Sequence, residues 1–248
     1  MHPVLIRIGS FELRAYGICI ALGLLVGLIW SEREFKNRGL PPDLLSTAAL
    51  SVVPIGVVCA RLLYVALNLG EFSSHPLSAL NLRSGGLSLF GALGGGILAL
   101  ALICRVYNVE FWRVGDALSQ GYMLAYAIGR IGCFLNGCCF GLPTKLPIGV
   151  RYYSEHGVLM PPSHPVPLYE ALGALITFIL LRWVRKRESF SGKEMLIGLI
   201  FHLLIRFFNE FLRKGVSAKV ALFGLTQAQV ACIVGIILLL WIYLRRAS

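Results

Sequence analysis

Residues 124–141 read LAYAIGRIGCFLNGCCFG. The run is apolar enough to lie in a bilayer, yet Arg130 stands in its middle, followed by Asn136 and the cysteines 133, 138 and 139. A guanidinium does not give up its proton in proteins. Placing such a charge near the bilayer centre costs roughly 2.5–3.5 kcal/mol on insertion scales, which makes it a functional candidate by default. The fold therefore turns on whether the flanking sequence also reads as membrane.

It does. Of 248 residues, 57% are hydrophobic and 14% charged, against about 25% charged in a soluble domain, and the mean hydropathy is +0.76. About seven apolar segments, at 16–30, 46–68, 87–105, 116–136, 166–183, 194–212 and 224–244, approach the ~20 residues that cross a bilayer. These features predict an all-α, polytopic integral membrane protein forming a single domain over 1–248, with no cleavable signal peptide. The formal net charge of +11 does not indicate nucleic acid, because the cations cluster between segments. Arg33, Lys36, Arg38, Arg105, Arg113, Arg182, Arg185, Lys186, Arg187, Lys193, Arg245 and Arg246 fall on one side. Fewer fall on the other: Arg7, Arg14, Arg83, Lys145, Arg151, Arg213, Lys214 and Lys219. The positive-inside rule then places the N-terminus outside and the C-terminus in the cytoplasm.

Other polar stripes accompany Arg130. In LIGLIFHLLIRFFNEFLRKG, residues His202, Arg206, Glu210 and Arg213 share one helical face. Arg61, Tyr64 and Asn68 repeat the pattern, and Asp116 and Gln120 lie near one end of the fourth segment. Such stripes face protein or a wet cavity. Arg206 and Glu210, four residues apart, are within reach of each other as an intrahelical pair. Three intramembrane arginines still outnumber the evident carboxylates, which predicts an anionic ligand. A phospholipid phosphate suits a planar guanidinium, so the expected architecture surrounds an arginine-rich lipid cavity. Gly91 and Gly95 have the spacing of close helix packing. Tyr16 reads either as an interfacial anchor or as a site residue, and His164 either as a loop cap or as a proton acceptor. The spacing Cys133-x4-Cys138-Cys139 matches no common zinc pattern, so those cysteines are expected to be small packing residues. No metal or cofactor is expected.

Six segments in order, RAYGICIALGLLVG, CARLLYV, RSGGLSLFGALGG, GRIGCFLNG, HPVPLYE and RFFNEFLR, resemble the bacterial prolipoprotein diacylglyceryl transferase family over nearly the whole chain. The resemblance implies transfer of a diacylglyceryl group from phosphatidylglycerol to the lipobox cysteine thiol of a preprolipoprotein signal peptide, with glycerol phosphate leaving, in the bacterial cytoplasmic (inner) membrane. It places Arg130 and Arg206 at the family's essential arginines, and Tyr16, Asn136, Gly137 and Glu210 on its motifs. Combined with the polar stripes, it gives Arg206, Glu210, His164 and Tyr16 as catalytic candidates and Arg130, Asn136, Gly137 and Arg61 as substrate-binding candidates. The family commonly carries histidine at Phe90, asparagine at Cys133, an acid at Cys138 and glutamine at Pro167. Phe90 cannot take a thiol proton, but a thiol of pKa near 8.5 is already partly ionised at neutral pH and more so beside cations. Two alternatives remain: the same fold with a diverged acceptor or lost activity, and a transporter of small anions or lipid.

Overall fold

The computed structural model describes residues 4–8, 11–72, 76–81, 86–153, 158–187, 189–213, 220–222 and 224–247. Arg83, Lys214 and Lys219, counted among the outer cations, lie outside the described residues, as do the side chains of Arg7 and Arg14. Seven long helices form: α1 (Ala15–Asn37), α2 (Pro42–Leu67), α4 (Leu89–Val106), α5 (Phe111–Leu135), α6 (Val166–Arg185), α7 (Lys193–Glu210) and α8 (Gln227–Ala247). A single-turn α3 (Leu69–Phe72) and a 3-10 turn (Pro76–Leu80) follow α2. Each long helix coincides with one apolar segment of the sequence. Four of them, α1, α2, α6 and α8, are long and apolar enough to cross a membrane. Their surfaces keep large apolar side chains uncovered, such as Leu50 at 79% and Ile179 at 65% exposure. That is the expected surface of a membrane protein, where lipid rather than protein covers the outward face. The sequence did not announce two antiparallel hairpins, β1 (Val4–Ile8) with β2 (Phe11–Arg14) and β3 (Val220–Leu222) with β4 (Leu225–Thr226).

The chain divides into two compact units, Met1–Ser31 with Gly115–Ser248, and Glu32–Val114. In the second, α2 packs on α4 through the glycines the sequence marked for packing. A Cβ on Gly91 would lie 2.8 Å from Ala60 Cα, and one on Gly95 would strike the Cys59 side chain. Small residues let the two backbones approach, as membrane helices require. Arg61 is buried in this unit. Its Nε donates to Ala79 O at 2.7 Å, Nη2 to Ser78 O at 2.8 Å and Nη1 to Gly86 O at 3.0 Å, and its charge lies over the rings of Tyr64 and Phe72. Gly86 has φ +76°, and a Cβ there would sit 2.6 Å from Arg61 Nη1. Only glycine meets both the backbone angle and the close approach.

In the first unit α1 lies on α5 by the same device. Cβ atoms on Gly23 and Gly27 would come within 2.8 Å of the Ala125 and Gly121 carbonyl oxygens. A core of Met123, Ala127, Ala174 and Leu181, flanked by Tyr122, Tyr126, Phe178 and Ile197, joins α5, α6 and α7. Polar ties fix one end. Asp116 on α5 accepts the backbone N–H of Gly192 at 2.6 Å and of Met195 at 2.8 Å, capping α7 with a carboxylate where the helix dipole favours one. Gln120 donates to Glu194 at 2.7 Å and accepts from Trp30 at 3.0 Å. The polar residues predicted near the end of the fourth segment therefore hold helices together.

Candidate active site

α5, α6 and α7 each direct charge to one place. Arg130 Nε lies 2.7 Å from Glu170 Oε2, Glu170 Oε1 lies 3.7 Å from Arg206 Nη1, and Arg206 Nη2 lies 2.8 Å from Glu210 Oε2. Glu210 also accepts from Thr226 at the start of α8, at 3.5 Å. Glu170, Arg206 and Glu210 are all buried, and the Arg130 guanidinium stands 4.8 Å from the centre of the Tyr126 ring. The four groups form one alternating chain, cation, anion, cation, anion. The intrahelical Arg206–Glu210 pair, one of the readings the sequence left open, forms here, and His202 of the same stripe is buried, whereas Arg213 lies beyond the end of α7 and is half-buried. His202 accepts from or donates to Tyr122 Oη at 3.4 Å and packs edge-on against Tyr126.

Glu170 corrects the count of charges. The sequence suggested too few carboxylates for the arginines, but Glu170, the last residue of HPVPLYE, bridges two of them. Arg130 and Arg206 are matched one for one by Glu170 and Glu210, so a net positive excess does not by itself demand an anion at this point. What the network retains is donor capacity. Arg206 Nε makes no hydrogen bond in the structure, while Arg206 Nη1, Glu170 Oε1 and Glu210 Oε2 are engaged only by the ion-pair contacts just given. Buried polar atoms seldom stay so, and a site that binds a polar ligand is one place where they do.

Asn136 and Gly137 close α5. Gly137 N donates to Phe134 O at 3.0 Å, and Cys138 N donates to Cys133 O at 3.1 Å, with Gly137 at φ +71°. This pair of bonds is the Schellman end, which wants glycine at that position. The turn folds Cys138 back over Cys133, whose carbonyl also accepts from Cys138 Sγ at 3.4 Å. The three thiols of Cys133, Cys138 and Cys139 consequently converge, with their sulfur atoms within 4.8 Å of one another. Sequence spacing alone did not foretell this.

Tyr16 opens α1. Its backbone carbonyl lies 3.5 Å from where a Cβ on Gly132 would stand, and its hydroxyl is within electrostatic range of Arg130 and the three cysteines. His164 precedes α6. Its backbone pairs with Gly141 and Leu142, and its Nδ1 lies 3.2 Å from Tyr169 Oη. Tyr169 precedes Glu170 on α6, where successive side chains point to different faces, so this contact does not link His164 to the network. Arg61 belongs to the other unit, where its nitrogens hold the carbonyl groups of Ser78, Ala79 and Gly86 as described. Phe90 is the second residue of α4, in that same unit.

The profile of the family described as "LGT: Prolipoprotein diacylglyceryl transferase" matches residues 3–245. The chain belongs to this family. A phosphatidylglycerol–prolipoprotein diacylglyceryl transferase of Clostridioides difficile is 33% identical over 237 residues, which cover 96% of this chain and 92% of that protein. The enzyme of the same name from Parasynechococcus marenigrum is 37% identical over 221 residues, covering 85% and 80%. That from Nostoc is 33% identical over 256 residues, covering 98% and 90%. Within the prolipoprotein diacylglyceryl transferase family, then, this chain sets a largely buried four-membered arginine–glutamate network beside a triple-cysteine turn.

Proposed function

We infer that this chain is the transferase of the first step of bacterial lipoprotein maturation. The lipobox cysteine sulfur attacks the glyceryl carbon of phosphatidylglycerol that carries the phosphate ester. A C–S bond forms, the C–O bond breaks, glycerol phosphate departs with the bonding pair, and the thiol proton passes to solvent or to a nearby base. The observation that carries this reading is the Arg130–Glu170–Arg206–Glu210 network inside a chain that matches the family from end to end. It disfavours the anion transporter.

On this reading seven helices cross the inner membrane around a lipid-accessible cavity, with the N-terminus outside and the C-terminus in the cytoplasm. Arg130 and Arg206 are the guanidinium donors for the phosphate, and Arg206 Nε makes no hydrogen bond within the network. Donors aimed at an oxygen on which charge develops stabilise the transition state more than the ground state. Glu170 and Glu210 are positioning residues that hold both guanidiniums in place. Asn136 and Gly137 shape the turn beside them, Arg61 holds the carbonyl groups of Ser78, Ala79 and Gly86, and Tyr16 and His164 are the candidates to relay the thiol proton. Because a thiol of pKa near 8.5 is already partly ionised at neutral pH, Phe90 in place of a histidine does not by itself stop the reaction.

The test is complementation of a strain depleted of its own diacylglyceryl transferase, paired with mass spectrometry of a lipobox peptide incubated with the purified protein and phosphatidylglycerol. Rescue, with a peptide heavier by one diacylglyceryl group, is the expected result. A folded, membrane-inserted protein that neither rescues nor modifies the peptide overturns the reading in favour of a diverged acceptor.

A further inference from the structure

Cys133, Cys138 and Cys139 go unused by the reaction above, and their arrangement is more than a packing solution. Cys133 is the third position from the end of α5, Cys138 is brought over it by the Schellman turn, and Cys139 follows directly with φ +61°. Only one other non-glycine residue among those described, Asn108, has positive φ. Asparagine tolerates that region, whereas cysteine has no such allowance and is held there at some cost. The strained residue is the one that turns the third sulfur toward the other two.

The dimensions suit a metal. A Zn–S bond is about 2.3 Å, so tetrahedral or trigonal ligation needs sulfur–sulfur separations of roughly 3.8–4.0 Å. All three sulfur pairs lie within 4.8 Å, so closing on an ion takes about 1 Å of movement or less. Cys133 is buried and the other two half-buried, which leaves a way in. The three remain free thiols. Ligation requires thiolates, and three thiolates on a divalent cation carry a net charge of −1.

We propose that Cys133, Cys138 and Cys139 form a binding site for one thiophilic divalent cation of the zinc type, held by three sulfurs with a fourth position left to water or an incoming ligand. Hard cations such as magnesium and calcium are excluded by the donor set. The site stands on sulfur geometry and does not depend on the transferase reaction.

The full chain is purified in detergent with reductant, stripped with chelator and titrated with Cd2+, following the thiolate-to-metal charge-transfer band. One Cd2+ per chain, displaced by Zn2+, is expected. A variant with Cys19, Cys59, Cys104 and Cys232 changed to serine should keep the band. The triple change of Cys133, Cys138 and Cys139 to serine should abolish it. Since that triple variant risks misfolding, the single Cys139→Ser change is made alongside it, in monodisperse protein. It should weaken Cd2+ affinity at least about tenfold, as even outer-shell losses do at metal sites. Absence of stoichiometric uptake, or uptake unchanged in Cys139→Ser, overturns the proposal.

Discussion

Replacing Glu170 with glutamine removes one charge and almost no volume. The carboxylate is 1% exposed and stands 2.7 Å from Arg130 Nε and 3.7 Å from Arg206 Nη1. The amide offers one acceptor and sets an NH2 toward the other guanidinium, donor against donor. One charge-assisted hydrogen bond of about 1.5–3 kcal/mol is lost, and two cations are left to share Glu210. Breaking a buried ion pair by removing one partner costs about 3–5 kcal/mol. At roughly 2–4 °C per kcal/mol for a chain of this size, the melting temperature in detergent should fall by at least about 6 °C. Lipobox-peptide modification, normalised to folded protein, should fall about ten- to hundredfold. Glu170→Asp separates charge from position, because it restores the carboxylate but retracts it by one methylene. It should recover most of the thermal stability and less of the turnover. If Glu170→Gln melts within about 2 °C of the native protein and keeps full activity, the network does not organise the site.

Arg130→Lys keeps the charge but not the fork that a guanidinium offers a phosphate; turnover should drop at least about tenfold and further in Arg130→Gln, and full activity in the lysine variant would sink a two-point phosphate contact. Gly137→Ala forces a Cβ onto φ +71° and should destabilise by about 1 kcal/mol, seen as earlier proteolysis at the end of α5 with little change in metal-free spectra. Phe90→His restores the residue common in the family; turnover should change less than about threefold if the partly ionised thiol needs no base at that position, and a tenfold gain would show that a base is missing.

The seven helices were legible because apolarity along a chain is a one-dimensional signal, and the segment ends met those of the helices to within about five residues, except that α1 runs on to Asn37, seven residues past the apolar segment, through the charged Glu32–Lys36 stretch. Glu170 was harder to see. It lies in the second turn of α6, where a carboxylate reads as a boundary residue, and only the fold brings it between Arg130 and Arg206. A search for the carboxylates that three intramembrane arginines require would have found it. The cysteine cluster was hidden for a different reason. Ligand spacings known from zinc sites assume particular turns, and the Schellman end of α5 makes another. The first hairpin did leave a trace, alternating Val4, Ile6 and Ile8 ahead of Gly9-Ser10, which the stronger membrane signal obscured. Arg61 carried the right residue type for a phosphate but is engaged by three carbonyl groups, and only coordinates distinguish those uses.

The cap that Asp116 places on α7 has a consequence at the far end of both helices. From Asp116 to Arg130 is fourteen residues, and from Gly192 to Arg206 is also fourteen, so each helix rises about 21 Å between the tie and the guanidinium. The two behave as rulers of equal length read from a common zero. A one-residue deletion in either ruler would lower one arginine by about 1.5 Å and swing it by roughly 100°, away from the carboxylate they share. Length between those marks is therefore more tightly constrained than the identity of most residues within it.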